Sequence, residues 1–147
     1  MLLESIAIGL VYGFAYFELT GLVAGGLVAP GYFAVHFDQP WAIALCLVTA
    51  TVTMLFVRSL AFITVLYGRR RFILNILTAF ALQWTLSALA GDAIALHSQY
   101  DVVGFVIPGL VANEMDRQGV GLTLLSLLLL SGFVFVTLAG LQWLRAF

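Results

Sequence analysis

Long uncharged stretches alternate with short polar breaks along this chain, and their lengths predict its elements. The uncharged intervals are 5–17, 19–37, 39–57, 72–91, 102–113 and 118–144, and the third stays apolar past Arg58 to Tyr67. A helix needs about 20 apolar residues to cross the hydrocarbon core of a bilayer. Intervals 39–67, 72–91 and 118–144 meet that length, and the first reaches it by running past Glu18. Four long transmembrane helices follow. The two remaining intervals each carry a Pro-Gly pair.

Those two pairs belong to a nine-residue pattern that occurs twice, in Gly26-Leu27-Val28-Ala29-Pro30-Gly31-Tyr32-Phe33-Ala34 and in Gly104-Phe105-Val106-Ile107-Pro108-Gly109-Leu110-Val111-Ala112, 78 positions apart. Asp38 falls on Asp116 in the same register. Internal self-similarity of this kind predicts a repeated architecture. The halves are 1–67 and 72–147, each a helix, a broken segment and a long helix, joined by an arginine loop at 68–71. Proline removes an amide donor and disrupts the helix before it, so both motifs are expected to be broken, as re-entrant or half-spanning segments. With two re-entrant segments there are four crossings, the repeats are parallel and both termini are cytoplasmic; with six crossings the repeats are inverted. The four-crossing arrangement is the expectation adopted.

Composition agrees with the bilayer as solvent. The chain of 147 residues is 63% apolar and 9% charged, with mean hydropathy +1.13, against about 25% charged in a soluble domain. A water-soluble globular fold is excluded. Glu4 stands where a cleavable signal would be basic, so the first segment is expected to remain a membrane helix. Cys46 is the lone cysteine and reads as an inert thiol.

All six basic residues are arginines, and Arg69, Arg70 and Arg71 are consecutive. The positive-inside rule assigns them to the cytoplasm, where they orient the chain or dock a cytosolic partner. Arg58 is the basic residue within a span, and an intramembrane charge is a functional candidate by default; snorkelling to the interface is the alternative. Glu18 is its natural ion-pair partner. Asp38 and Asp116 are expected to cap the long helices that follow them. Arg117 beside a broken helix suits an anion or a lipid headgroup equally.

The doubled Pro-Gly itself reads two ways. A helix that restarts after Pro30-Gly31 or Pro108-Gly109 offers bare N–H groups to an anion, or the glycines let two helices touch closely. His36 and His97 are not at metal-ligand spacing, no metal site is expected, and a chain without lysine has no phosphate-loop motif.

At these residues the chain resembles a known family. Glu18-Leu19-Thr20-Gly21, the first motif through Tyr32, and Gln39-Pro40 resemble the first half of the PgsC/CapC membrane proteins of bacterial poly-γ-glutamate and capsule biosynthesis. Tyr67-Gly68-Arg69-Arg70-Arg71-Phe72 resembles their central loop. Ile107-Pro108-Gly109-Leu110-Val111-Ala112-Asn113 and Arg117-Gln118-Gly119 resemble their second half. The resemblance implies a multi-pass protein of the bacterial inner membrane, a non-catalytic subunit of a synthase and exporter. It implies a PgsB/CapB-like ATP-dependent amide ligase as partner, which brings ATP and Mg, and a PgsA/CapA-like third component, in a hetero- and homo-oligomer. No cofactor is expected in this chain and no nucleic acid as partner. Polymer contacts are expected from Pro30, Gly31, Pro108, Gly109, Arg58, Asn113, Arg117 and Gln118, and ligase docking from Arg69, Arg70 and Arg71. Two other functions remain open on the residues alone: an independent small transporter or channel for an anionic solute, and a scaffold that recruits the ligase.

Overall fold

A computed structural model describes residues 2–90 and 102–146. The connection 91–101, with His97, lies outside the described residues. Among the described residues every regular element is helical: α1 (Leu2–Thr20), α2 (Ala29–Val35), α3 (Pro40–Leu60), α4 (Arg69–Ala90), α5 (Val102–Gln118) and α6 (Val120–Arg145). Four of these, α1, α3, α4 and α6, are long and apolar enough to cross a membrane. The all-α class and the four long helices expected from the uncharged runs are thus present.

The Pro-Gly segments differ from expectation. Pro30 lies in the first turn of α2, where no N–H is needed and the fixed φ suits a helix start. The break precedes it, in the irregular stretch 21–28. Pro108 lies inside α5, which runs through it without interruption. The proline forfeits one backbone bond, but α5 is held on both sides of it, with Ile107, Val111 and Ala112 fully buried. Packed neighbours let membrane helices tolerate proline. At 17 residues α5 spans about 25 Å.

Contacts give the direction of each helix. Glu4 at the start of α1 meets Arg145 at the end of α6. A Cβ on Gly13 would touch Leu27, whereas one on Gly31 would strike the backbone of Ser5 and Ile6, so the chain returns antiparallel to α1 and ends beside its start. A Cβ on Gly109 would strike Ile76, and Asp116 meets Arg71, so α5 runs antiparallel to α4. Gln118, closing α5, binds Val23 just beyond the end of α1. Hence α1 and α4 point in opposite directions. The re-entrant arrangement is not formed, because α5 passes from one end of the bundle to the other instead of turning back.

The core lies among α2, α3, α5 and α6. It contains Ala29, Phe33, Ala50, Ile107, Val111, Ala112, Met115 and Leu127. The irregular stretch leans on it: Gly25 and Gly26 have φ of +66° and +98°, and their Cα atoms face Val111, Leu127 and Leu110. Non-helical backbone at membrane depth survives only when protein covers it in this way. Trp41, Tyr67, Trp84 and Trp143 are exposed, as expected of residues that face headgroups.

Candidate functional site

The three consecutive arginines do not form a loop. Gly68, at φ +56°, makes the turn, and Arg69, Arg70 and Arg71 are the first turn of α4. Cations at a helix N-terminus oppose its dipole, so each benefits from a carboxylate. Arg71 has one: its Nη2 lies 2.5 Å from Asp116 Oδ2, with the aspartate side chain 7% exposed and the arginine 31%. Arg69 and Arg70 are exposed.

Asp116 is therefore an ion-pair residue and not a cap. It lies within α5, and Gly119 occupies the N-cap of α6 with no side-chain bond. Asp38 is exposed and caps nothing, since Gln39 holds the N-cap of α3, also with no side-chain bond. The register of 78 is intact, but α2 stops at Val35 while α5 continues past Asp116. Arg58 and Glu18 are both exposed, and the expected pair between them is not among the ion pairs of the described residues. Arg58 sits in the last turn of α3, where a long side chain reaches the interface.

Around the Arg71–Asp116 pair α5 supplies further polar groups. Asn113 and Glu114 are buried, at 8% and 9% exposure, and Asn113 Nδ2 donates to Glu114 Oε1 at 3.2 Å. Arg117 Nη1 lies 3.7 Å from that same carboxylate oxygen and is otherwise exposed. Gln118 is committed to the fold. Its Oε1 accepts from Val23 N–H at 3.1 Å, and its Nε2 donates to Val23 C=O and to Thr123 Oγ1. One amide thus pins the irregular stretch to α5.

The Pro-Gly glycines serve close approach. A Cβ on Gly31 would lie 2.6 Å from Ser5 O, and one on Gly109 2.6 Å from Ile76 Cα and 2.9 Å from Asn75 O. With α5 unbroken, no bare amides follow Pro108, and α2 is a single short helix of 7 residues. Two facing helix starts are not formed.

Sequence reasoning missed the residue with the least satisfied chemistry. Asn75 is fully buried on α4, and neither its Nδ2 nor its Oδ1 has a hydrogen-bond partner; the Arg71 Nε is likewise buried and unpartnered. The buried hydroxyls of Thr49, Thr53, Thr123, Ser126 and Ser131 all bond to carbonyls of their own helices. The available signal was an amide side chain, with Gln83 two turns on, inside a long uncharged and mostly apolar run.

The family profile for capsule biosynthesis CapC matches residues 8–124. The chain belongs to the CapC family. Relatives agree along most of its length. The "PGA biosynthesis protein CapC" of Bacillus subtilis (strain 168) is 34% identical over 132 residues, covering 89% of each chain. The "Capsule biosynthesis protein CapC" of Bacillus anthracis is 31% identical over 132 residues, again 89% of each. No solved structure matches significantly. In this CapC-family chain the matched region takes in both Pro-Gly crossings, the arginine turn and the Arg71–Asp116 pair.

Proposed function

We propose that this chain is the membrane subunit of a poly-γ-glutamate synthase and exporter, built from two inverted copies of one hairpin and seated in the bacterial inner membrane. The observation that carries the reading is the gathering of Arg58, Arg69, Arg70, Arg71 and Arg117 at one end of the bundle, from α3, α4 and α5. The positive-inside rule makes that end cytoplasmic, and the termini then lie on the opposite side.

The division of labour follows from chemistry. Joining glutamates through the γ-carboxyl requires that carboxyl to be activated, which is the task of an ATP-dependent amide ligase with its Mg. Arg69 and Arg70 offer that cytosolic partner an exposed basic edge. The product carries one free carboxylate per unit, and an arginine-rich entrance attracts it. The third component receives the polymer on the far side.

The test is reconstitution in a bacterium that makes no polymer. Chain, ligase and third component together yield polymer, and omission of this chain abolishes it. The triple variant Arg69→Gln, Arg70→Gln, Arg117→Gln inserts normally, releases the ligase on purification in mild detergent, and lowers polymer at least about tenfold, the effect of about 1.4 kcal/mol in binding. Polymer made equally well without this chain would defeat the reading. Solute transport into liposomes by the chain alone, with no ligase bound, would favour the independent transporter.

A further inference from the structure

The Asn75 side chain fills a fully buried position without making a hydrogen bond. At the corresponding place on α1, Ser5 Oγ donates to the carbonyl of Gly31 at 2.6 Å. There the crossing satisfies itself. On α4 the crossing holds a larger side chain with two polar groups, both buried and both unpaired. Leaving a buried donor or acceptor unmade costs about 1–3 kcal/mol each, so an apolar side chain of the same size would make the tighter bundle. The Arg71 Nε adds a third unused group. Asn75 follows Arg71 by four residues, so both stand on one face of α4 with Cβ atoms about 5–6 Å apart.

We propose that Asn75 and Arg71 bind one γ-linked glutamyl unit of the polymer, Asn75 pairing with its amide and Arg71 with its carboxylate. This rests on the synthase reading above and names the place where the chain meets its product. A primary amide side chain donates and accepts at once, as a peptide group does. It can therefore donate to the carbonyl of one amide linkage or accept from its N–H. Guanidinium is the side chain suited to carboxylate. In a γ-linked unit the same carbon carries the amide nitrogen and the free carboxylate, so the two functions lie side by side. An α-linked unit separates them by the length of its side chain.

The exposed part of Arg71 marks the side from which the ligand arrives, and because Asn75 is fully buried against α5 the two helices must part there for the unit to bind. Arg71 is the partly exposed member, at the cytoplasmic end, and Asn75 lies about 6 Å deeper by helical rise. Asp116 holds Arg71 in this structure. An incoming carboxylate exchanges for Asp116 on the guanidinium, and the amide behind it reaches Asn75. Glu114, with Asn113 and Arg117 bonded to it, stands one helical turn or less from Asp116 along α5.

The experiment uses the purified synthase complex, carrying wild-type chain, Asn75→Leu or Asn75→Ser. Binding of γ-linked tetraglutamate and of α-linked tetraglutamate is measured by thermal shift and by calorimetry. Wild type binds the γ-linked peptide in preference. Asn75→Leu keeps or raises the melting temperature, weakens γ-peptide binding about tenfold, the loss of one hydrogen bond to the amide, and erases the preference. Asn75→Ser, the residue that the α1 crossing accommodates, gives the same loss should the leucine variant fail to assemble. Equal binding by wild type and variants, absence of binding by wild type, or no preference between the two linkages would each overturn the assignment. A variant that makes normal polymer in a complex that still depends on this chain would sink the Asn75 site and leave the synthase reading standing. Loss of that dependence would sink both.

Discussion

Where α2 crosses α1, the Ser5 hydroxyl donates to a carbonyl of the Pro-Gly segment; where α5 crosses α4, Asn75 occupies the matching position and its amide is unpaired. The two crossings share a backbone geometry. Ser5, Gly9 and Gly13 form the buried stripe of α1, and Asn75, Ala79 and Gln83 that of α4, 70 residues later. Gly31 lies on Ser5 and Ile6, and Gly109 on Asn75 and Ile76. Their chemistry differs. The α1 stripe is built from serine and glycine and ends near an exposed ion pair, Glu4 with Arg145 at 3.0 Å. The α4 stripe holds two amide side chains and ends at the shielded Arg71–Asp116 pair. In both crossings the Pro-Gly glycine serves close helix contact. The unpartnered polar atoms, those of Asn75 and the Arg71 Nε, lie on the α4 side.

The most damaging way to test the likeness is to add one carbon at each crossing. Gly31→Ala would put a Cβ 2.6 Å from Ser5 O and 2.7 Å from Ile6 Cα, and Gly109→Ala would put one 2.6 Å from Ile76 Cα. These neighbours are backbone atoms and cannot rotate aside, so each pair of helices must separate. Overpacking of this kind costs about 2–3 kcal/mol. The melting temperature in mild detergent falls for both variants. Gly132→Ala, whose Cβ would have nothing within 4 Å, leaves it unchanged or slightly higher. A severe Gly31→Ala beside a mild Gly109→Ala would show that the crossings are not equivalent.

Much of this fold was legible in the sequence, and its failures have physical causes. The long helices follow from uncharged runs because length against bilayer thickness leaves little choice. The turn at Gly68 was legible too, but the arginines belonged to the helix after it. Pro108 was misread because a local rule was applied where burial of Ile107, Val111 and Ala112 outweighs it. Asp38 and Asp116 were read as caps because each follows a Pro-Gly motif at the same distance, but the helices over those stretches differ in length. The site was harder. Attention to ionisable residues led to Arg58, which is exposed in the last turn of α3, and passed over Asn75, whose buried amide has no hydrogen-bond partner.

A second test separates the two ion pairs. Removing one partner of a well-buried pair costs about 3–5 kcal/mol, and an exposed pair contributes about 0–1 kcal/mol. Arg71 is partly wet, so Asp116→Asn is expected to cost about 2 kcal/mol. Glu4→Gln, which breaks the exposed contact to Arg145, is expected to change stability by less than about 0.5 kcal/mol. Chemical denaturation of the detergent-solubilised protein compares them directly. Equal costs would mean that the arginine end is no more shielded than the end bearing the termini.

The smallest effect belongs to Ser5→Ala, and it is the most pointed. The substitution deletes the hydroxyl bond to Gly31 O without adding bulk at a crossing where only small residues fit. A lost neutral hydrogen bond of this kind costs about 1 kcal/mol, and the carbonyl left behind lies at a helix start where its own ladder still engages it. The melting temperature should drop slightly, and binding of γ-linked tetraglutamate by the synthase complex should be unchanged. In the α4 crossing the expectation is reversed, with stability kept and binding lost. The asymmetry rests on that reversal. If Ser5→Ala weakened peptide binding as much as Asn75→Leu, the polymer would run along both crossings, and the serine bond would be a gate instead of a seal.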